Sequence, residues 1–163
     1  INRKNFDCWG ELPDVNDVKV YGEYIEKVKE FGKAIWEFTG KYVAVDSVFE
    51  HPGGQTFPVS CFVVKRGGMV VYCAATSGYN LTFDARYGWM HQKRIQGSHF
   101  ATLKQASEAN KLVINKNIKP CMSEVLGWKD IPEAHMKMKR NEHKPGNMAV
   151  LVQAKKHGMK TLK

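Results

Sequence analysis

The sequence predicts an α/β fold built on an open, doubly wound parallel sheet. Three observations carry this expectation. Two apolar runs, Val45–Phe49 and Met69–Cys73, read as buried strands. Each run opens into a loop of small and polar residues, Glu50-His51-Pro52-Gly53-Gly54 and Ala74-Ala75-Thr76-Ser77-Gly78. One apolar helix lies between them, which makes a strand–helix–strand crossover, right-handed as a rule. The carboxyl ends of strands in such sheets are where a ligand sits. The glycine-rich turn that opens a dinucleotide-binding sheet is not found, and the chain starts at Ile1 rather than Met. The expectation is therefore the later part of a larger enzyme.

The elements follow in order. Residues 1–17 read as irregular, with Trp9-Gly10 and Leu12-Pro13-Asp14 as turn signals. Asn16 or Asp17 can cap a helix over about 18–38, whose apolar side is Tyr21, Tyr24, Ile25, Val28, Phe31 and Ile35 at a period of 3.6. Gly40 supplies a left-handed stop. The helix after the first strand is expected over about 55–64, starting near Thr56, because Pro58 is tolerated only in a first turn. Gly67-Gly68 reads as the turn into the second strand, whose continuous apolar run suits a central parallel position. A short helix near 83–90, a strand at about 94–97 and a helix near 101–114 complete the sheet region. Beyond Pro120 come shorter pieces: a strand over 122–126, a helix over 131–141 and a strand over 147–152.

Composition narrows the class. Hydrophobic content of 43% and charged content of 25% are globular values, which argues against wholesale disorder. No apolar run approaches the ~20 residues of a membrane helix, and no signal peptide precedes Asn2-Arg3-Lys4. A soluble, cytoplasmic chain is expected. The cysteines, Cys8, Cys61, Cys73 and Cys121, form no close pair and read as free buried thiols of a reducing compartment. The histidines show no metal-ligand spacing, so no metal is expected. The net charge of +9 is concentrated late, where Lys137, Lys139, Arg140, Lys144, Lys155, Lys156, Lys160 and Lys163 face only Glu142. Such an excess serves nucleic acid, a phosphate-rich small molecule or plain solubility, and solubility comes first of the three.

Several residues could carry chemistry, each with a plainer alternative. His51, at a strand's carboxyl end, is a general acid/base or cofactor donor, or else a loop His satisfied by carbonyls. Thr76, Ser77 and Gly78 let a flat ring approach the main chain, as an ordinary turn would also do. His99, in Gly97-Ser98-His99-Phe100, precedes a helix start, where an imidazole can donate one hydrogen bond to a small polar guest. As a lone His it is more simply structural. Arg86 and Tyr87, with Lys93 and Arg94, suit a phosphate joined to a stackable base, or merely form a solvated face. Lys65 and Arg66 can sit at a helix C-terminus. His135 and His143 read as surface residues.

Taken in order, these pieces resemble a known family. Phe49-Glu50-His51-Pro52-Gly53, Lys65-Arg66-Gly67-Gly68-Met69-Val70, Phe83-Asp84-Ala85-Arg86-Tyr87 and Gly97-Ser98-His99-Phe100-Ala101 look like crotonyl-CoA carboxylase/reductase, a branch of the medium-chain dehydrogenase/reductases. Ile1-Asn2-Arg3, Phe31-Gly32-Lys33-Ala34-Ile35 and the run from Pro145 to Val152 are similar too, so the likeness extends from Ile1 to about Val152.

The resemblance implies the second half of a Rossmann-like sheet, followed by a C-terminal segment returning to an absent catalytic domain. Residues 1–117 would be the later part of the NADP-binding domain, 118–152 the returning segment and 153–163 a frayed basic tail. It implies NADPH-dependent reductive carboxylation of a 2,3-unsaturated acyl-CoA, with hydride going to the β-carbon and the enolate attacking carbon dioxide at the α-carbon. His99 takes the position that helps hold carbon dioxide, while its Asn, Phe and Glu partners in that pocket would lie upstream. His51, Pro52, Cys73, Ala74, Thr76, Ser77 and Gly78 would face the nicotinamide half of NADPH. Arg66, Arg86 and Tyr87 are the candidates for the acyl-CoA. Neither nucleic acid nor membrane is an expected partner, a homo-oligomer is expected at full length, and this chain alone is expected to be inactive. The alternatives are a non-carboxylating enoyl or quinone reductase of the same fold, and a basic nucleic-acid-binding module.

Overall fold

The computed structural model describes residues 1–153, and the basic tail expected over 153–163 lies, from residue 154, outside the described residues. The chain forms two compact units, Ile1–Phe100 and Ala101–Lys163.

The first unit begins with a 3-10 turn, Arg3–Asn5, capped by the Asn2 side chain. Helix α1, Val18–Thr39, starts where the Asp17 carboxylate accepts the Val20 N–H at 3.1 Å. Its expected apolar stripe does face inward. Val28 is fully buried with Cys8 and Val59, and Phe6 and Trp9 lie edge-on to Phe31 at 5.2 and 5.1 Å. Gly40 ends the helix with φ 106° and ψ 153°. This is a positive-φ exit, but an extended one rather than the left-handed helical stop expected, and glycine alone takes it cheaply.

Strand β1 (Val45–Glu50), helix α2 (Phe57–Val63), strand β2 (Val64–Tyr72), helix α3 (Ala85–Trp89) and strand β3 (Arg94–Gly97) follow. The three strands form one sheet in the order β1-β2-β3, all parallel. Pro58 falls in the first turn of α2, where its missing N–H costs nothing, and residues Phe57 to Cys61 are all buried. Phe57, Cys61, Val64 and Val70 make the core under the sheet, with Val48 and Tyr72 packed against them.

Two expectations about this sheet need correction. Gly67-Gly68 is no connection ahead of β2 but an excursion inside it: Val45 pairs with Val64 and Ser47 with Met69, so a two-residue step on β1 faces a five-residue step on β2. Gly67 takes φ +70°, and a Cβ on Gly68 would lie 2.7 Å from Val64 Cγ2. β1 is also not a buried strand. Only Glu50 is fully buried, and Phe49 is 70% exposed, because α2 covers one face and nothing in this unit covers the other.

In the second unit, α4 (Leu103–Ile114) starts two residues later than expected. Thr102 and Gln105 close a reciprocal capping box that sets the boundary. Strands β4 (Met122–Leu126) and β5 (Asn147–Val150) pair in parallel across α5 (Ile131–Arg140), which Asn141 ends in the left-handed region at φ 56°. The cysteines are all free, but only Cys8 and Cys61 are buried. Cys73 and Cys121 are exposed, since each lies just outside a strand end. Among the described residues no helix is long and apolar enough to cross a membrane.

Candidate active site

Hydrogen bonds between neighbouring strand ends hold the three tips of the sheet level. The Cys73 N–H donates to the Glu50 carbonyl at 3.2 Å, and the Ser98 N–H to the Tyr72 carbonyl at 2.8 Å. A cavity of about 400 Å³ opens there, lined by Cys73, Ala74, Ala75, Tyr79, Ser98 and His99 among others. The small side chains after β2 leave the space, and His99 closes one side. Its ring packs on Phe100 with centroids 3.9 Å apart, while Phe100 takes φ 48°.

The loop after β1 is organised by Glu50. This carboxylate is 2% exposed and accepts the Gly53 N–H at 3.0 Å, the Thr56 hydroxyl at 2.6 Å and the Ser60 hydroxyl. No cation pairs with it among the described residues. Three donors satisfy its oxygens, as a buried polar group requires. Thr56 and Ser60 stand four residues apart, one turn of α2, so both reach the same carboxylate. The sequence reading missed Glu50; the acid ending an apolar strand, with hydroxyls at helical spacing beyond it, was the available signal.

The two loops touch through main chain. A Cβ on Gly53 would lie 2.7 Å from Ala75 Cα, and the Gly54 N–H donates to the Gly78 carbonyl at 3.2 Å. Ser77 ties them further. Its hydroxyl donates to the Pro52 carbonyl at 2.8 Å and accepts the Gln55 N–H at 3.1 Å. Ser77 and Gly78 line a separate cavity of about 510 Å³ with Gly10, Gln55 and Asn80, and Tyr79 borders both cavities. His51 and Thr76 are exposed, and Pro52 is half-buried. The structure thus brings Cys73, Ala74 and His99 to one cavity, and leaves His51, Pro52, Thr76, Ser77 and Gly78 outside its lining.

The remaining candidates lie on another side of the unit. Arg86 and Tyr87 line a cavity of about 600 Å³ with Tyr21, Lys29, Met90 and His91. Tyr87 packs on Phe62 at 4.9 Å and meets His91 edge-on at 5.6 Å. Asp84 accepts two parallel bonds from Arg86, Nε to Oδ1 at 3.0 Å and Nη2 to Oδ2 at 2.7 Å, plus the Tyr21 hydroxyl on Oδ2 at 2.5 Å. The Arg86 guanidinium holds this carboxyl down at about 2, against the usual 3.8, with the Tyr21 bond adding to it. Arg66 is exposed in the β2 excursion and is not part of that lining. Burial lowers the His91 pKa, and the charges of Lys93 and Arg66 lower it further.

Lys93 is not a solvated cation. Its Nζ donates to the Cys61 and Phe62 carbonyls at 2.7 and 2.9 Å, at the end of α2, and burial pushes it down to about 8. The positive charge expected from Lys65 or Arg66 at that helix end comes instead from Lys93, on the approach to β3. Lys65 pairs with Asp46. Burial also pushes the Cys61 thiol up to about 12.

Residues 15–115 match the zinc-binding dehydrogenase family. The chain belongs to that family. It is 65% identical over 161 residues to the crotonyl-CoA carboxylase/reductase of Cereibacter sphaeroides, covering 99% of this chain and 37% of that protein. It superposes with a TM-score of 0.89 on crotonyl-CoA carboxylase/reductase AntE in complex with NADP, at 42% identity over 96% of this chain and 38% of that one. The 2-octenoyl-CoA carboxylase reductase CinF, in complex with NADP and 2-octenoyl-CoA, gives 0.75 at 34% identity, over 98% of this chain and 34% of that one. The zinc-binding dehydrogenase chain described here therefore spans little more than a third of these relatives. Among its described residues no three His, Cys, Asp or Glu side chains gather as a metal site, so they do not fit a zinc ion.

Proposed function

We propose that this zinc-binding dehydrogenase segment builds the nicotinamide-side wall of an NADPH-dependent enoyl-CoA carboxylase/reductase and part of its acyl-CoA surface. The observation that carries this reading is the shared cavity of His99 with Cys73 and Ala74 at the tips of adjacent parallel strands. Its small lining residues fit a flat ring lying against main chain, in the place where open α/β sheets hold ligands. Residues 1–117 serve as the later part of the NADP-binding domain, and 118–152 as a segment of the catalytic domain.

NADPH, when bound, supplies a hydride to the β-carbon of a 2,3-unsaturated acyl thioester. The former double-bond pair then sits on the α-carbon as an enolate, which forms the new carbon–carbon bond to carbon dioxide and leaves a carboxylate. His99 donates a hydrogen bond to one carbon dioxide oxygen, orienting it and meeting the charge that develops there. Cys73 and Ala74 border the ring, while Pro52, Ser77 and Gly78 fix the loops beneath it. His51 and Thr76 border the cofactor from the exposed side. Arg66, Arg86 and Tyr87 face the nucleotide end of the acyl-CoA.

The test uses the full-length enzyme carrying this segment, with crotonyl-CoA, NADPH and bicarbonate. His99→Asn is expected to raise the ratio of simply reduced to carboxylated product by about tenfold. An unchanged ratio removes His99 from the pocket. Wild-type enzyme that forms no carboxylated product would establish the simpler reductase instead.

A further inference from the structure

We propose that Tyr21 and Asp84 are positioning residues that fix the Arg86 guanidinium for the nucleotide end of a CoA thioester. The proposal rests on the reading above that Arg86 meets the acyl-CoA.

Asp84 is the hub. Its side chain is 6% exposed, and it accepts the Arg86 N–H at 2.9 Å, the Arg86 fork and the Tyr21 hydroxyl. The fork spends Nε and Nη2 on the carboxylate, whereas Nη1 donates to no group among the described residues. The guanidinium also lies 5.5 Å from the centre of the Tyr21 ring. An exposed arginine ordinarily samples many rotamers. Here one edge and one face are held, which leaves Nη1 and the opposite face toward solvent, with the Arg86 side chain 55% exposed.

A planar cation held this way offers two things at once: donors for a phosphate oxygen and a surface for a base to stack on. The adjacent cavity of about 600 Å³, bordered by Lys29, Tyr87 and His91, gives a phosphorylated nucleotide room. Pre-fixing the fork lowers the ordering cost of binding. The hydroxyl of Tyr21 is the separable part, because α3 keeps its Asp84 cap without it.

The full-length enzyme is assayed with crotonyl-CoA and with crotonyl-pantetheine, which lacks the nucleotide. Tyr21→Phe is expected to raise KM for crotonyl-CoA about fivefold, with kcat within about twofold and KM for crotonyl-pantetheine unchanged. Asp84→Asn, which keeps an oxygen for the Arg86 N–H, is expected to raise the same KM further. Equal changes with both substrates would make the network structural and overturn the proposal, as would an unchanged KM for crotonyl-CoA in both variants. Arg86→Met separates the two levels. If it raises KM for crotonyl-CoA while Tyr21→Phe and Asp84→Asn do not, the positioning fails alone. If Arg86→Met also leaves it unchanged, the underlying reading of Arg86 fails, and the proposal with it.

Discussion

Lys93 reaches the Cys61 and Phe62 carbonyls, two of the last four in α2, and these would otherwise lack intrahelical partners. Half-burial holds its ammonium near 8, below the usual 10.5. Between those values the unfolded chain binds more protons than the folded one, so stability rises as pH climbs from about 8 to 10.5. Part of the side chain meets solvent, which limits the gain to on the order of 1 kcal/mol. Melting the full-length protein at pH 7.5, 9 and 10 should show the rise, and Lys93→Met should flatten it. His99, Arg86 and Tyr87 stand out as candidates in the sequence because their neighbours in the chain form recognisable motifs. Lys93, named beside Arg86, and Tyr21, named on the apolar side of α1, were visible too, but the bonds they make were not. Their partners lie 32 and 63 residues away, and spacing along the chain says nothing of such pairs.

Gly53 joins the two loops at the strand tips. Its φ of +92° strains any side chain, and an added Cβ would press within 2.7 Å of Ala75 Cα and 2.9 Å of the Gly78 carbonyl. Gly53→Ala should therefore part the loops, weakening NADPH binding by about tenfold and stability by about 2 kcal/mol. A fluorescence titration and a thermal melt of the full-length protein would measure both. Gly54→Ala, whose Cβ meets nothing closer than 3.5 Å, is the matched control. Elements with a clear period or clear turn residues were legible: α1, α2, β3 and β4 lie within a few residues of their expected bounds. The Gly67-Gly68 excursion was not, because register belongs to a pair of strands and neither carries it alone. The start of α4 was misplaced for a simpler reason, the overlooked exchange between Thr102 and Gln105.

The parallel α/β arrangement of the whole was legible, since apolar strands alternate with helices along the chain. How thinly the strands are covered was less so. Phe49, Tyr79 and Phe100 are 70%, 91% and 90% exposed, and α4 has no buried residue. Large apolar side chains left in water on this scale are sites for contact with another surface. Residues 1–163 on their own should bind a hydrophobic dye strongly and show no NADPH oxidation with crotonyl-CoA; measurable turnover would contradict this. The small core of Phe57, Cys61, Val64 and Val70 nonetheless closes without help from that bare side. What these residues lack is cover for one side, and the four core side chains pack without it.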